Sequence, residues 1–106
     1  MSIFAKKEMD INAAKNFWEW FSANEEWIIN NVNTNGMDVV WAIDAQIKPV
    51  FPYFKKELEF QLGFNDGIGE FFFFHFNNKN LKNDAEIFKN MIPEKLAETW
   101  NVILEA

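Results

Sequence analysis

The chain contains no cysteine, which excludes disulfides, thiolate metal sites and cysteine nucleophiles together. It has one histidine, His75. A structural zinc site needs several converging ligands, so no metal is expected. Serine occurs only as Ser2 and Ser22, and a Ser-His-acid triad would have to draw on one of them, the first close to a terminus. A glycine-rich phosphate loop is lacking, because "GFNDGIG" is short, has no lysine and leads into a strand rather than a helix. "NLKNDAEIF" offers Asn80 and Asp84 but neither the glycine nor the late glutamate of an EF-hand. With these chemistries removed, the chain reads as non-enzymatic and free of cofactors.

Two further absences bear on location and partner. No apolar run approaches the roughly 18 residues of a membrane span, and "MSIFAKKEMD" carries no apolar h-region after its lysines. The expectation is a cytoplasmic protein in a reducing environment, not inserted in a membrane. Excess positive charge is missing too: the formal net charge is -6 and the pI about 4.7. That argues against nucleic acid or an anionic bilayer, both of which need clustered cations, and permits a basic protein partner.

What is present fits one domain spanning residues 1–106. Hydrophobic residues make up 49% of the chain, aromatics 18% and charged residues 25%, enough to build a core and to disfavour disorder. From Asp10 to Val32 the apolar residues Ile11, Ala14, Phe17, Trp18, Phe21, Ile28, Ile29 and Val32 share a helical stripe, with Asp10 as the N-cap. "NNVNTNG" closes this helix. A second helix is predicted from Met37 to Val50 through Val40, Ile43, Ile47 and Val50, with strand as the competing reading of "MDVVWAI". Pro49 and Pro52 end it.

"KELEFQLGF" alternates, with Leu58, Phe60, Leu62 and Phe64 on one face and Glu57, Glu59, Gln61 and Gly63 on the other. "NDGIG" reads as a hairpin turn, and "EFFFFHF" is the returning strand. A third helix follows through Leu81, Ala85, Phe88 and Ile92, capped by Asn80 or Asn83 and broken near Pro93. "WNVILEA" is a last strand. The order α-α-β-β-α-β predicts an α+β fold: a small, mainly antiparallel sheet with helices packed on one face.

The Phe-rich strand is apolar on both sides, which suits the centre of the sheet. If Leu62 pairs with Phe72, then Phe72, Phe74 and Phe76 lie under the helices and Phe71, Phe73 and His75 face outward, beside Glu59 and Gln61. A shift of one residue exchanges the sets. Either way aromatic rings stay on the second face, which is either covered by a helix or left as a surface that on monomers usually marks an interface. The outward set Phe71, Phe73 and His75 is preferred, with a symmetric dimer as its consequence.

Trp20 and Trp27 lie two turns apart on a shoulder of the first helix and either pack on a neighbour or dock a partner. Glu25 projects into the apolar stripe and is expected to be buried, reaching a backbone amide or a Trp indole. The best remaining catalytic pair is His75 with Glu59 across the hairpin, a spacing that a plain cross-strand contact fills as well.

"FWEWFSANEEW", then "LEFQLGF", an apolar strand and "MIPEKLAETW", resemble a family of uncharacterised bacterial proteins with an N-terminal FWxWFxxNE helix. Phe17, Trp18, Trp20, Phe21, Asn24 and Glu25 stand at the motif positions. Longer relatives are expected to continue past the point matching Trp100, and the family implies no activity. The reading is a non-enzymatic interaction module that uses Trp20, Trp27, Phe71, Phe73 and His75 for self-association or for a basic protein, an immunity-type protein being one form of it. The rival is a small-molecule-binding domain or enzyme with an aromatic pocket and Glu25 or His75 as polar contact.

Overall fold

A computed structural model describes residues 8–106. The amino-terminal stretch before Glu8, with Ser2 and most of "MSIFAKKEMD", lies outside the described residues. The predicted first helix forms as two. Helix α1, Ile11–Ala23, starts where the Asp10 carboxylate accepts the Ala13 N–H at 3.0 Å, and it buries Ala14, Phe17, Trp18 and Phe21. Asn24 interrupts it: its side-chain amide donates to the Trp20 carbonyl at 2.8 Å and its own N–H to the Trp20 and Phe21 carbonyls. Helix α2, Glu25–Asn31, restarts from there with two acids in its first turn, where carboxylates favour the helix dipole.

Helix α3, Gly36–Ile47, settles "MDVVWAI" as helix, and Lys48–Val50 continue it as a 3₁₀ turn with Pro49 at its start. Its buried stripe runs through Val39, Ile43 and Ile47, not through Val40 as predicted. Residues three and four apart share a face, so the period admits either valine; packing buries Val39 and leaves Val40 outward with Met37 and Trp41.

Strands β1 (Glu59–Asn65), β2 (Ile68–Phe74) and β3 (Trp100–Glu105) form a sheet in the order β1-β2-β3. The central position of the Phe-rich strand stands, and the sheet is mixed: β1 pairs antiparallel with β2, and β3 pairs parallel. The parallel pairing follows from the connection, since helix α4 (Lys79–Asn90) and the short α5 (Glu94–Ala97) carry the chain back before β3 begins. Asn78, rather than Asn80 or Asn83, caps α4 by accepting the Leu81 N–H at 3.1 Å.

The turn sets the register. Asp66 and Gly67 both have positive φ, 53° and 80°, as a two-residue I′ turn requires. Asn65 therefore pairs with Ile68 and Leu62 with Phe71. This is the one-residue shift from the Leu62–Phe72 register, and it turns Phe71, Phe73 and His75 inward, at 1%, 0% and 5% exposure. Phe71 meets the rings of Phe17 and Phe21 from α1, while Phe73 meets Phe51 and Phe88. Helices and sheet thus share one aromatic core, with the helices on one face of the sheet.

Candidate protein-interaction face

The fold separates the residues expected to act together. Phe71 and Phe73 are core residues, so the interface expected to include them, and the dimer built on it, has no accessible ring there. His75 is buried just beyond β2. Its N–H donates to the Glu105 carbonyl and its Nδ1 accepts the Asn77 N–H at 3.2 Å. Glu59 is exposed on the other face of the sheet, so the His75–Glu59 pairing does not form.

Glu25 is half-buried rather than buried. One carboxylate oxygen accepts both the Thr99 hydroxyl at 2.9 Å and the Trp100 indole N–H at 2.8 Å. Trp20 packs half-buried beside Phe17 and Phe21, whereas Trp27 stands 39% exposed. The two tryptophans thus stand on different helices, Trp20 on α1 and Trp27 on α2.

The face away from the helices among the described residues carries the other aromatic set. Three cross-strand rows define it: Gln61, Phe72 and Ile103; Glu59, Phe74 and Glu105; Gly63, Glu70 and Asn101. Phe72, Phe74 and Ile103 are half-buried, and Glu59, Gln61, Asn101 and Glu105 are exposed. The surface is an apolar centre rimmed by three glutamates, with no lysine in any row. Phe74 stands between two carboxylate-bearing residues that lie two strand spacings apart, roughly 10 Å. An aromatic ring so placed can hold a cation on its face while the carboxylates neutralise it. The sequence signal for this arrangement was "DG", whose preference for a two-residue turn fixes which phenylalanines face out.

A second feature escaped the sequence reading. A cleft of about 610 Å³ is lined by Tyr53, Phe54, Lys55, Lys56, Phe76 and Asn78 among others, and neither Glu25 nor His75 reaches it. Phe54 and Phe76 lie parallel, ring centroids 6.3 Å apart. Phe76 and Asn77 both take positive φ, 54° and 56°; for a bulky residue such as Phe76 that costs of order 1–3 kcal/mol. Tyr53 donates its hydroxyl to Asp84 at the back of this region. Burial first, then that hydrogen bond and the carboxylate's charge, push the phenol pKa well up.

Among the described residues no three His, Asp or Glu side chains converge as a metal cluster would require, and no helix is long and apolar enough to cross a membrane. Comparison of the chain with protein-family models, curated proteins and solved structures returns no match.

Proposed function

We propose that the protein is a non-enzymatic, cytoplasmic interaction module that binds a basic protein through the open face of its sheet. One observation carries this reading: Phe72, Phe74 and Ile103 form an apolar strip whose rows include Glu59, Glu70 and Glu105 and no cation. Contiguous apolar surface rimmed by polar groups marks interaction sites, and the sign of the rim selects the partner. A lysine or arginine of the partner lies over Phe74 between Glu59 and Glu105, with an apolar side chain beside Phe72. Self-association through the same face would set three glutamates against three more on a chain of net charge -6, so a basic partner is the better complement. The acidic, aromatic face also suits the immunity-type role, in which a small acidic domain covers a cationic toxin.

The test uses an amphipathic Lys/Leu helical peptide as the probe and phenylalanine ring resonances as the readout. The rings of Phe72 and Phe74 shift on titration while those of Phe71 and Phe73 stay put. A peptide with Gln in place of Lys binds more weakly, and Phe74→Leu combined with Glu105→Gln abolishes the response to the Lys peptide. Rings that do not respond to the Lys peptide would overturn the reading. So would shifts of the same rings driven by protein concentration alone.

A further inference from the structure

The outer edge of β1 offers something different from the sheet face. Antiparallel pairs alternate between those that exchange both backbone hydrogen bonds and those that exchange none, and the residues flanking a two-residue turn form a bonded pair. Asn65 and Ile68 are that pair, so Gly63–Glu70, Gln61–Phe72 and Glu59–Phe74 are bonded in turn. The other residues of β2 then bond β3, as the Gly69 N–H to Thr99 and His75 N–H to Glu105 bonds show. Phe60, Leu62 and Phe64 therefore direct their N–H and C=O groups to the outer edge, where no strand of the described residues pairs with them.

Proteins usually protect such an edge with lysine, proline or a covering element. Strand β1, "EFQLGFN", has neither residue type. Beside it runs a groove whose far bank is α3: two adjoining clefts of about 540 and 320 Å³ share Val40, Phe60 and Gln61. Val40 and Trp41 are 46% and 65% exposed, so the bank is apolar. Asp44, Glu57 and Glu59 line the larger cleft and no lysine does; Asp44 is paired with Lys48 at 3.8 Å, which leaves Glu57 and Glu59 as its free acids among the described residues. The outer edge of β3 differs: the groove along it is bordered by Lys89 and Asn90, and no large apolar side chain there is among the exposed ones.

We infer that this groove accepts an extended segment of another protein as a fourth strand, one that alternates apolar and basic residues. Strand addition supplies the backbone bonds that Phe60, Leu62 and Phe64 lack, and side chains of alternate residues supply specificity. Apolar side chains of the added strand continue the inner face, from Phe60 and Leu62 toward Val40 and Val32. Basic ones stand on the outer face beside Glu59 and Gln61. A second copy of this chain is the poorer occupant, because its β1 carries no cation and its net charge is also negative. The inference goes beyond the sheet-face reading and stands without it, because its readout is backbone pairing at β1 rather than coverage of Phe72 and Phe74.

The experiment is residue-resolved amide exchange with a seven-residue alternating Lys/Val peptide as the probe. At saturation the amides of Phe60, Leu62 and Phe64 slow by about tenfold or more, while those of Gln61 and Gly63, already bonded to β2, change little. The same peptide N-methylated at alternate residues along its pairing edge gives no protection. Trp41→Ser, at a solvent-facing position, weakens the effect without changing the fold. Three results would overturn the inference: no protection at these amides, equal protection by a Glu/Val peptide, or protection that rises with protein concentration in the absence of peptide.

Discussion

Trp100 shows how single residues are held here. Its indole N–H is taken by Glu25, 75 positions away in sequence, and the edge of its ring contact with Phe21 is 4.9 Å between centroids. Beneath it, a Cβ on Gly69 would fall 2.5 Å from the ring, a distance at which the indole or the strand must shift. Gly69→Ala should therefore destabilise by about 1–3 kcal/mol through overpacking. Gly63→Ala, where a Cβ meets nothing within 4 Å, is the control in the same denaturant titration. An acid in an apolar stripe must find a donor, which made Glu25 and a Trp indole as its partner legible in the sequence; which tryptophan supplies that indole depends on the parallel placement of β3 and was not. Tyr53 is the chain's only tyrosine, so phenolate absorbance reports it alone. Its folded pKa lies above the ordinary value near 10, so folding favours the neutral phenol. The stabilisation this gives is complete below about pH 10 and is lost as pH rises through the folded value. The phenolate band should consequently appear later in native than in urea-unfolded protein; coincident titrations would deny the burial of the phenol and its bond to Asp84.

Among the elements, the strands and the three main helical segments follow from period alone, and the errors lie where one residue decides a face. In β2 all four consecutive phenylalanines are equally apolar, so hydrophobicity cannot choose between Phe71 with Phe73 and Phe72 with Phe74; the choice falls to the length of the Asp66-Gly67 turn. The same ambiguity affects α3, where Val39 and Val40 are chemically identical and lie four and three residues from Ile43, so the helical period does not choose between them and packing buries Val39. Asn24 splits the first helix because its side chain takes the Trp20 carbonyl, a local competition that hydrophobic pattern does not register. The α3 assignment has a direct check. Val39→Ala should cost roughly 2 kcal/mol, from two buried methyl groups and the space they leave, and Val40→Ala no more than about 0.5 kcal/mol. Equal losses in thermal or urea unfolding would contradict the observed stripe.

Taken together, the FWxWFxxNE residues are absorbed by structure: Phe17, Trp18 and Phe21 are core, the Trp18 indole donates to the Phe88 carbonyl at 2.9 Å, Asn24 makes the helix break, and Glu25 holds Trp100. The motif residues thus serve mainly the core, and the surfaces left for function are the sheet face and the β1 edge, both acidic, and the cleft by Tyr53, Phe54 and Phe76, where Lys55 and Lys56 stand beside Glu57 and Glu59. That distribution makes a prediction about the chain on its own. Stacking two copies face to face would bury Phe72 and Phe74 but oppose Glu59, Glu70 and Glu105 with their equivalents, and like charges in register are destabilising. Light scattering should find a monomer at low ionic strength across the accessible concentration range. Any association should emerge only as salt shortens the screening length, from about 10 Å at 0.1 M to about 3 Å at 1 M. Reversing two exposed rim charges removes the obstacle selectively. A Glu59→Lys, Glu105→Lys variant mixed with the unaltered chain presents a basic rim to an acidic one around the same aromatic centre. The mixture should form a one-to-one complex at low salt that neither chain forms with itself and that dissociates as salt is added. A mixture that stays monomeric at low salt would mean that Phe72 and Phe74 lack the apolar surface to sustain an interface even when the charges agree.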